Sequence, residues 1–288
     1  MDYLIFRMCC SLLAGMIISQ TGTLIQLTTK NILASPSTLG FDGLSILWVL
    51  MFHSILLWLN IETPSYILLL GIPFFILLGF YFSSITTKAR SVNKLILMGL
   101  TFNLLVGAIF SLWQFLFLAF NLPFPVELWF GHFRFASFEN LVVLLFIQIA
   151  ILAGWRFYKT DLTILSLGSS VANNFKVPTT HLHRFIFISV SVGTFTVVSI
   201  FGAFSFLGLI FPIVSRRFWF NRFDLTGEFL IGSLMNGLAF CLIDLVCYSF
   251  PFYGAEIPMG LVSMIIGAVS LMIILWKSRN RFEILAKR

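Results

Sequence analysis

FLGLIFPIVSRRF, residues 206–218, is uncharged until Arg216 and Arg217 and carries a proline at its middle. The apolar part, 206–215, is too short to cross a bilayer, which takes ~20 apolar residues in a helix. The stretch before it, 185–203, is also uncharged. The two are either one overlong span, or a full span followed by a short one that turns back near 202–205. The choice fixes the side of the membrane on which every later joint lies.

Composition sets the setting. The 288 residues are 59% hydrophobic and only 10% charged, with 35 Phe and a mean hydropathy of +1.01. A soluble domain carries about 25% charged residues, so most of this chain belongs in lipid. Uncharged or nearly uncharged segments fall at 8–28, 43–59, 65–82, 95–120, 140–155, 185–203, 204–215, 229–250 and 257–276. These are helix-length runs, not the alternating segments of a membrane barrel. Backbone groups in lipid must be satisfied within the segment, so an all-α polytopic bundle is expected. The four cysteines (9, 10, 241, 247) are too few for a disulfide scaffold and read as small buried hydrophobes. The +7 net charge comes from cations clustered in short joints, which argues for topology and not for nucleic acid.

Charge then decides the opening question. If 185–215 were one span, Arg184 and Arg216 would face opposite compartments, and the tail cations Lys277, Arg279, Arg281, Lys287 and Arg288 would lie opposite Lys88, Arg90 and Lys94. If the chain turns back after 203, sixteen of the eighteen Lys and Arg residues share one side, leaving Arg7 and Arg134 on the other. Cationic loops favour the cytoplasm, so the second arrangement is predicted: nine crossings, one short (about 204–217), a cytoplasmic C-terminus and an outside N-terminus. A short helix that ends at depth is tolerated only when packed inside protein, which places 206–215 centrally. Half-length helices beside a pathway recur in transporters.

Four stretches, in order, resemble a known family: LLAGMIISQTGTLIQLTTKNILASPSTLG (12–40), LTILSLGSSVANNFKV (162–177), GAFSFLGLIFPIVSRRF (202–218) and LIDLVCYSFPFYGAEIPMGLVSMIIGAVSLMIILWK (242–277). They resemble the iron-siderophore and vitamin B12 permeases of type II ABC importers. Those permeases have ten helices, and laid against them this chain begins at the second. The resemblance implies a single transmembrane permease domain over 1–288 in a bacterial cytoplasmic (inner) membrane, with a cytoplasmic coupling loop at about 160–183. It also implies the partners: cytoplasmic ABC ATPase subunits, a second permease subunit (identical or homologous), an extracytoplasmic substrate-binding protein and the lipid bilayer. The chain has no Gly-x-x-x-x-Gly-Lys-Ser/Thr phosphate cradle. It is therefore expected not to be an enzyme and to bind no cofactor directly, with ATP and Mg2+ on the partner subunit.

Site expectations follow from the resemblance and from local chemistry. Leu162, Ile164, Leu165 and Leu167 give one apolar face, Gly168 a turn, and Val171, Ala172 and Phe175 the next face; exposed apolar groups on a cytoplasmic loop mark a contact. The ATPase coupling set is Leu165, Leu167, Gly168, Ser169, Val171, Ala172 and Phe175. Ser169 and Phe175–Lys176 depart from the family's Glu and second Leu-Gly. Gate or pathway roles are expected for Leu33, Ala34, Ser91, Asn93, Gly208 and Pro212, against a plain connector role. Ile32 stands where the family has Pro, which restores a backbone donor and loosens that turn. Asp42 suits a helix start, where the dipole favours a carboxylate. Arg7 matches one docking arginine for the binding protein. Leu4 and Tyr248 occupy other expected arginine positions, so Arg134 and Glu256 join Arg7 as the docking set; Glu256 equally suits a cap beside Pro258. Asp244 reads as the only carboxylate well inside a span, bonding backbone donors near the short helix. The histidines (53, 132, 181, 183) form no metal-ligand spacing.

The function so implied is a permease subunit that moves an iron(III)-siderophore or similar chelate, powered by a separate ATPase. Cobalamin or haem import within the same family is the alternative. A proton- or sodium-driven secondary transporter would call for several intramembrane carboxylates, and a membrane-embedded enzyme for a polar constellation at matching depth.

Overall fold

The computed structural model describes residues 2–59, 69–88, 92–120, 129–204, 206–218, 225–251 and 256–286. Its helices are α1 (Asp2–Thr29), α2 (Phe41–Trp58), α3 (Ile72–Lys88), α4 (Val92–Ala119), α5 (Phe138–Leu167), α6 (Ser169–Asn174), α7 (Thr179–Phe201), α8 (Leu207–Phe218), a single turn α9 (Leu225–Gly227), α10 (Ser233–Ser249) and α11 (Met259–Ala286). A 3-10 turn covers Ser37–Leu39, and a π-helical turn, Glu228–Gly232, joins α9 to α10. Among the described residues there is no strand. Among the described residues, six helices are long and apolar enough to cross a membrane, and shorter apolar ones run Phe41–Leu56, Leu207–Arg216 and Met259–Ile273. Together they occupy the nine segments marked by the sequence.

Contacts fix the direction of each pass. Gln20 meets Ser233, Ser19 meets Asn236 and Arg7 meets Asp244, so α1 and α10 run antiparallel. Phe75 stacks on Phe195 and Phe82 on Phe187, so α3 and α7 do too. Two ends of the bundle result. One holds Arg7, 129–137, the end of α7 and the start of α11; the other holds Arg216, the 30–40 turn and the start of α4.

The centre is built from α1 and α7, whose apolar windows are mostly buried, whereas α4 is mostly exposed. A helix apolar on every side is buried by protein or by lipid. On α7, Ser189, Ser191, Gly193, Thr194, Thr196 and Ser199 are all buried and small enough to admit neighbours closely. The hydroxyl of Ser191, for example, donates to the Phe75 carbonyl of α3 at 2.8 Å.

The turn-back after residue 203 is present. Helix α7 stops at Phe201, and Gly202 takes φ +86, a left-handed value suited to glycine. Carbonyls left over at a helix end need partners at membrane depth. Here the Phe201 carbonyl accepts from His132 N at 2.8 Å and that of Ala203 from Gly131 N at 3.0 Å; Gly131 O in turn accepts from Gly260 N at 2.7 Å. Three chain segments thus satisfy one another where α7 ends. Ser205 lies outside the described residues. Helix α8 then runs back along α1: Gly208 lies against Ile18 and Gly22, and Arg216 reaches Gln26. Twelve residues give about 18 Å of helix, and Leu207, Gly208, Leu209, Ile210, Pro212 and Ser215 are buried.

Helix α5 differs from expectation. It was expected to end near 155, but it continues unbroken to Leu167. Its N-terminus is capped by Ser137, whose side chain accepts from Asn140 N. Of the cysteines, 10, 241 and 247 are buried as expected, while Cys9 is exposed.

Candidate functional site

Helix α1 carries a polar face through the middle of the bundle. Ser19, Thr23 and Gln26 recur at helical spacing, with Gln20 beside them, and all four are buried. Thr23 Oγ1 donates to the Ser19 carbonyl of its own helix at 3.0 Å, and the other three find partners on α5, α8 or α10. Asn236 Nδ2 donates to Ser19 Oγ at 2.5 Å and more weakly to Ser215 Oγ at 3.4 Å. Gln20 Nε2 donates to Ser233 Oγ at 3.2 Å, and Gln148 Nε2 donates to Gln20 Oε1 at 3.1 Å. Gln26 Nε2 donates to the Leu209 carbonyl at 3.0 Å.

Pro212 lacks an N–H, so the Gly208 carbonyl has no helical donor. The carbonyls of Gly208 and Leu209 both face α1. A Cβ on Gly22 would sit 1.9 Å from Gly208 O, so only a glycine permits α8 to lie this close.

A charged cluster closes each end of this spine. At one end Arg7 is only 2% exposed. Its Nε donates to Asp244 Oδ2 at 2.8 Å and its Nη2 to Asp244 Oδ1 at 2.9 Å, a bidentate pair. Its Nη1 donates to Glu256 Oε2 at 2.8 Å, and the guanidinium carbon lies 4.7 Å from the Tyr248 ring centroid. At the other end Arg216 Nε donates to Glu228 Oε1 at 2.7 Å and its Nη2 donates to Gln26 Oε1. Buried charges require such pairing, since an isolated ion in a low-dielectric interior is costly.

These placements correct several expectations. Arg7 does not present itself to a partner: its fork is filled by this chain's own carboxylates. Asp244 accepts from Arg7 and not from backbone donors near α8. A second buried carboxylate, Glu228, pairs with Arg216 in the π-helical turn where the Leu225–Ser249 helix begins. Glu256, with 36% of its side chain exposed, is engaged by Arg7. Arg134 is exposed at the same end, and its carbonyl accepts from Tyr3 Oη at 3.1 Å.

The coupling set divides. Leu162, Leu165 and Ala172 are buried in the protein's own core, against the expectation of one exposed apolar surface. Leu167 and Phe175 are exposed and Val171 is half-buried. Gly168, at φ +136, separates α5 from α6. Of Ser169 only the helical backbone is described. In the 31–40 turn, Leu33 is at the surface and Ala34 is buried. The turn is not loose: Leu33 N donates to Asn31 Oδ1 at 2.9 Å and Ala34 N to Asn31 O at 3.1 Å. Ser91 lies outside the described residues, as does the side chain of Asn93. Gly208 and Pro212 pack against α1.

Glu228, Gln20, Gln26, Gln148 and Asn236 were missed by sequence reading. Their signal was periodic: 19, 23 and 26 on one helix, and 233, 236, 240 and 244 on the other, each mark one face.

Known proteins with similar features form a consistent set. The permease protein FatD of the petrobactin import system of Bacillus anthracis is 26% identical over 276 residues, covering 93% of this chain and 78% of that protein. The "probable iron chelatin transport system permease protein" of Helicobacter pylori (strain ATCC 700392 / 26695) is 24% identical over 287 residues, covering 95% and 81%. Among solved structures, one described as a metal-chelate type ABC transporter in an inward-facing conformation superposes with a TM-score of 0.77 at 24% identity, over 95% of this chain and 85% of that one. PsaBC from Streptococcus pneumoniae does so with a TM-score of 0.61 at 16% identity, over 95% and 91%. These two establish a shared fold. The sequence model of the FecCD transport family matches residues 1–277, and the chain belongs to that family.

Proposed function

We propose that the protein is the membrane-spanning permease subunit of an ABC importer that moves an iron(III) chelate, such as a siderophore complex, into the cytoplasm. The observation that carries this reading is the FecCD match along nearly the whole chain. The names of the petrobactin and iron chelatin permeases support the cargo class.

The physical roles follow. The chain spans the bacterial cytoplasmic membrane many times and pairs with a second permease subunit to enclose the pathway. Energy comes from separate ATPase subunits that hold ATP and Mg2+. Their contact is the surface formed by exposed Leu167 and Phe175 with half-buried Gly168 and Val171, beside the buried anchors Leu165 and Ala172. Those anchors tie the contact rigidly to α5, so a push on it is delivered to the bundle. At the opposite end, Arg134 meets a binding protein that supplies cargo affinity.

The test is uptake of radioactive iron as a ferric siderophore by cells lacking native chelate permeases. The protein is co-expressed with candidate ATPase and binding-protein subunits, and co-purification of the subunits is measured in the same cells. ATP-dependent accumulation with a stable complex is expected. Co-purification with no uptake of any ferric chelate would retain the importer and remove iron as the cargo; failure of both would remove the importer.

A further inference from the structure

Leu225 to Ser249 is one helical run, but its second turn is wound differently: Glu228–Gly232 is π-helical. A π turn bonds residue i to i+5, so it holds one residue more than an α turn, and such turns are rare and concentrate at functional sites. Each helical residue rotates the chain by about 100°. The extra residue therefore sets where the side chains at the start of the run point relative to α10.

Two contacts depend on that direction. Glu228 accepts from Arg216 Nε of α8 at 2.7 Å. Phe229, fully buried, stacks on Trp155 of α5 with ring centroids 5.2 Å apart and planes at 8°. At the other side of the turn the Ser233 hydroxyl shares its proton between the Phe229 and Leu230 carbonyls, 2.6 and 3.0 Å away, and accepts from Gln20 Nε2 of α1 at 3.2 Å. The middle of the turn holds nothing: Leu230 and Ile231 are exposed.

The same residues have a second register. If the turn closes as α-helix while α10 stays in place, one residue fewer spans it. Phe229 then takes the place of Glu228, and Glu228 swings by about 100° away from Arg216. The α register regains regular backbone bonding and gives up the ion pair and the ring stack. Coupling between distant parts of a protein needs an element with two discrete arrangements that both parts bias. This turn has one contact to α8 and one to α5, and each belongs to a single register.

We propose that the Glu228–Gly232 turn is a register switch: its π form latches the Arg216 end of α8, and its α form releases that end and withdraws Phe229 from Trp155. Helix α5 carries Trp155 and runs on unbroken to Leu167, beside Gly168. The switch is thus reached from the corner assigned to the ATPase. That use of it rests on the transport reading, whereas the register change itself is read from the purified chain.

The test measures backbone hydrogen exchange by mass spectrometry on the full-length protein in lipid nanodiscs. Glu228→Gln keeps the side chain's shape and removes the ionic part of the latch, while Arg216, with 36% of its side chain exposed, can turn to water. Peptides covering 226–234 should then exchange at least tenfold faster than in wild type, with 238–246 unchanged. Deleting exposed Ile231 leaves an α turn that keeps Glu228 on Arg216 and removes the second register. In that background Glu228→Gln should change exchange less than twofold. Deletion of Leu230 carries the same comparison if the first deletion does not fold. No acceleration by Glu228→Gln, or an equal one in both backgrounds, overturns the proposal. So does failure of both deletions to fold, because the turn must be able to close as α-helix. In cells where wild type takes up a ferric chelate, the Ile231 deletion should insert and co-purify with the ATPase yet transport at least tenfold less; undiminished uptake overturns the role in transport. A wild type without uptake overturns the transport reading and leaves the exchange comparison to decide the switch.

Discussion

Replacing Arg7 by Met puts a number on the buried charge cluster. The long apolar Met side chain retains much of the packing of the arginine stem. What is lost is the counter-charge for Asp244, whose side chain is 3% exposed and accepts two of the three ionic hydrogen bonds. Glu256 can turn toward water, so its loss is small. Removing one member of a buried ion pair costs about 3–5 kcal/mol, and most of that cost falls on Asp244. Glu256→Gln keeps an acceptor at a partly exposed position and should cost about 1 kcal/mol or less. Arg7→Met combined with Asp244→Leu leaves neither charge buried alone. The double variant should therefore be more stable than the sum of the single costs implies, by roughly 2–3 kcal/mol. Equilibrium unfolding in lipid–detergent micelles of wild type, both singles and the double supplies the cycle. Additive costs, or an Arg7→Met variant no weaker than Glu256→Gln, would show that the cluster does not clamp α1 to α10.

Three further changes probe other parts of the molecule. Gly22→Ala places a methyl 1.9 Å from Gly208 O and must push α8 off α1; a loss of about 1–3 kcal/mol is expected in the same unfolding assay. Asn236→Ala leaves Ser19 and Ser215 without their shared donor and should cost about 1–3 kcal/mol, where an exposed polar-to-alanine change such as Asn173→Ala should cost little. Gly168→Arg has open space for its side chain but a backbone angle that disfavours it. It should abolish uptake and weaken ATPase co-purification while the protein still inserts and purifies; normal transport would remove the coupling role from this corner.

Much of the architecture was legible because lipid imposes one rule on every span. Uncharged runs of helix length, with cations collected in the joints, predicted the nine passes and the turn-back at 203. What the sequence did not show is how that turn is held. The carbonyls of Phe201 and Ala203 are satisfied by His132 and Gly131, some seventy residues earlier, and the only side-chain trace of that pairing is the lack of room for a Cβ at Gly131 and Gly260, which does not name the partner. The site was less legible for a related reason. Arg7 was expected to dock a binding protein because it matches a docking arginine of the resembled family, but its own partners lie 237 and 249 positions away. Residue type alone does not say whether an arginine faces a second protein or its own carboxylates. Glu228 was overlooked because it borders a hydrophobic run, where a helix start exposed to water reads the same as a buried ion pair. In the coupling corner, the spacing of Leu162, Leu165 and Ala172 was visible, but apolar periodicity marks a buried face and a docking face alike.

Single cysteines at Arg134, Phe175 and Lys277, in a background with native Cys9 replaced by serine, can be exposed to a membrane-impermeant maleimide in intact cells. A permease that turns back after residue 203 predicts labelling at 134 from outside, with 175 and 277 reacting only after permeabilisation. Labelling of 277 from outside would mean that 185–215 crosses once, and the importer topology would fall with it.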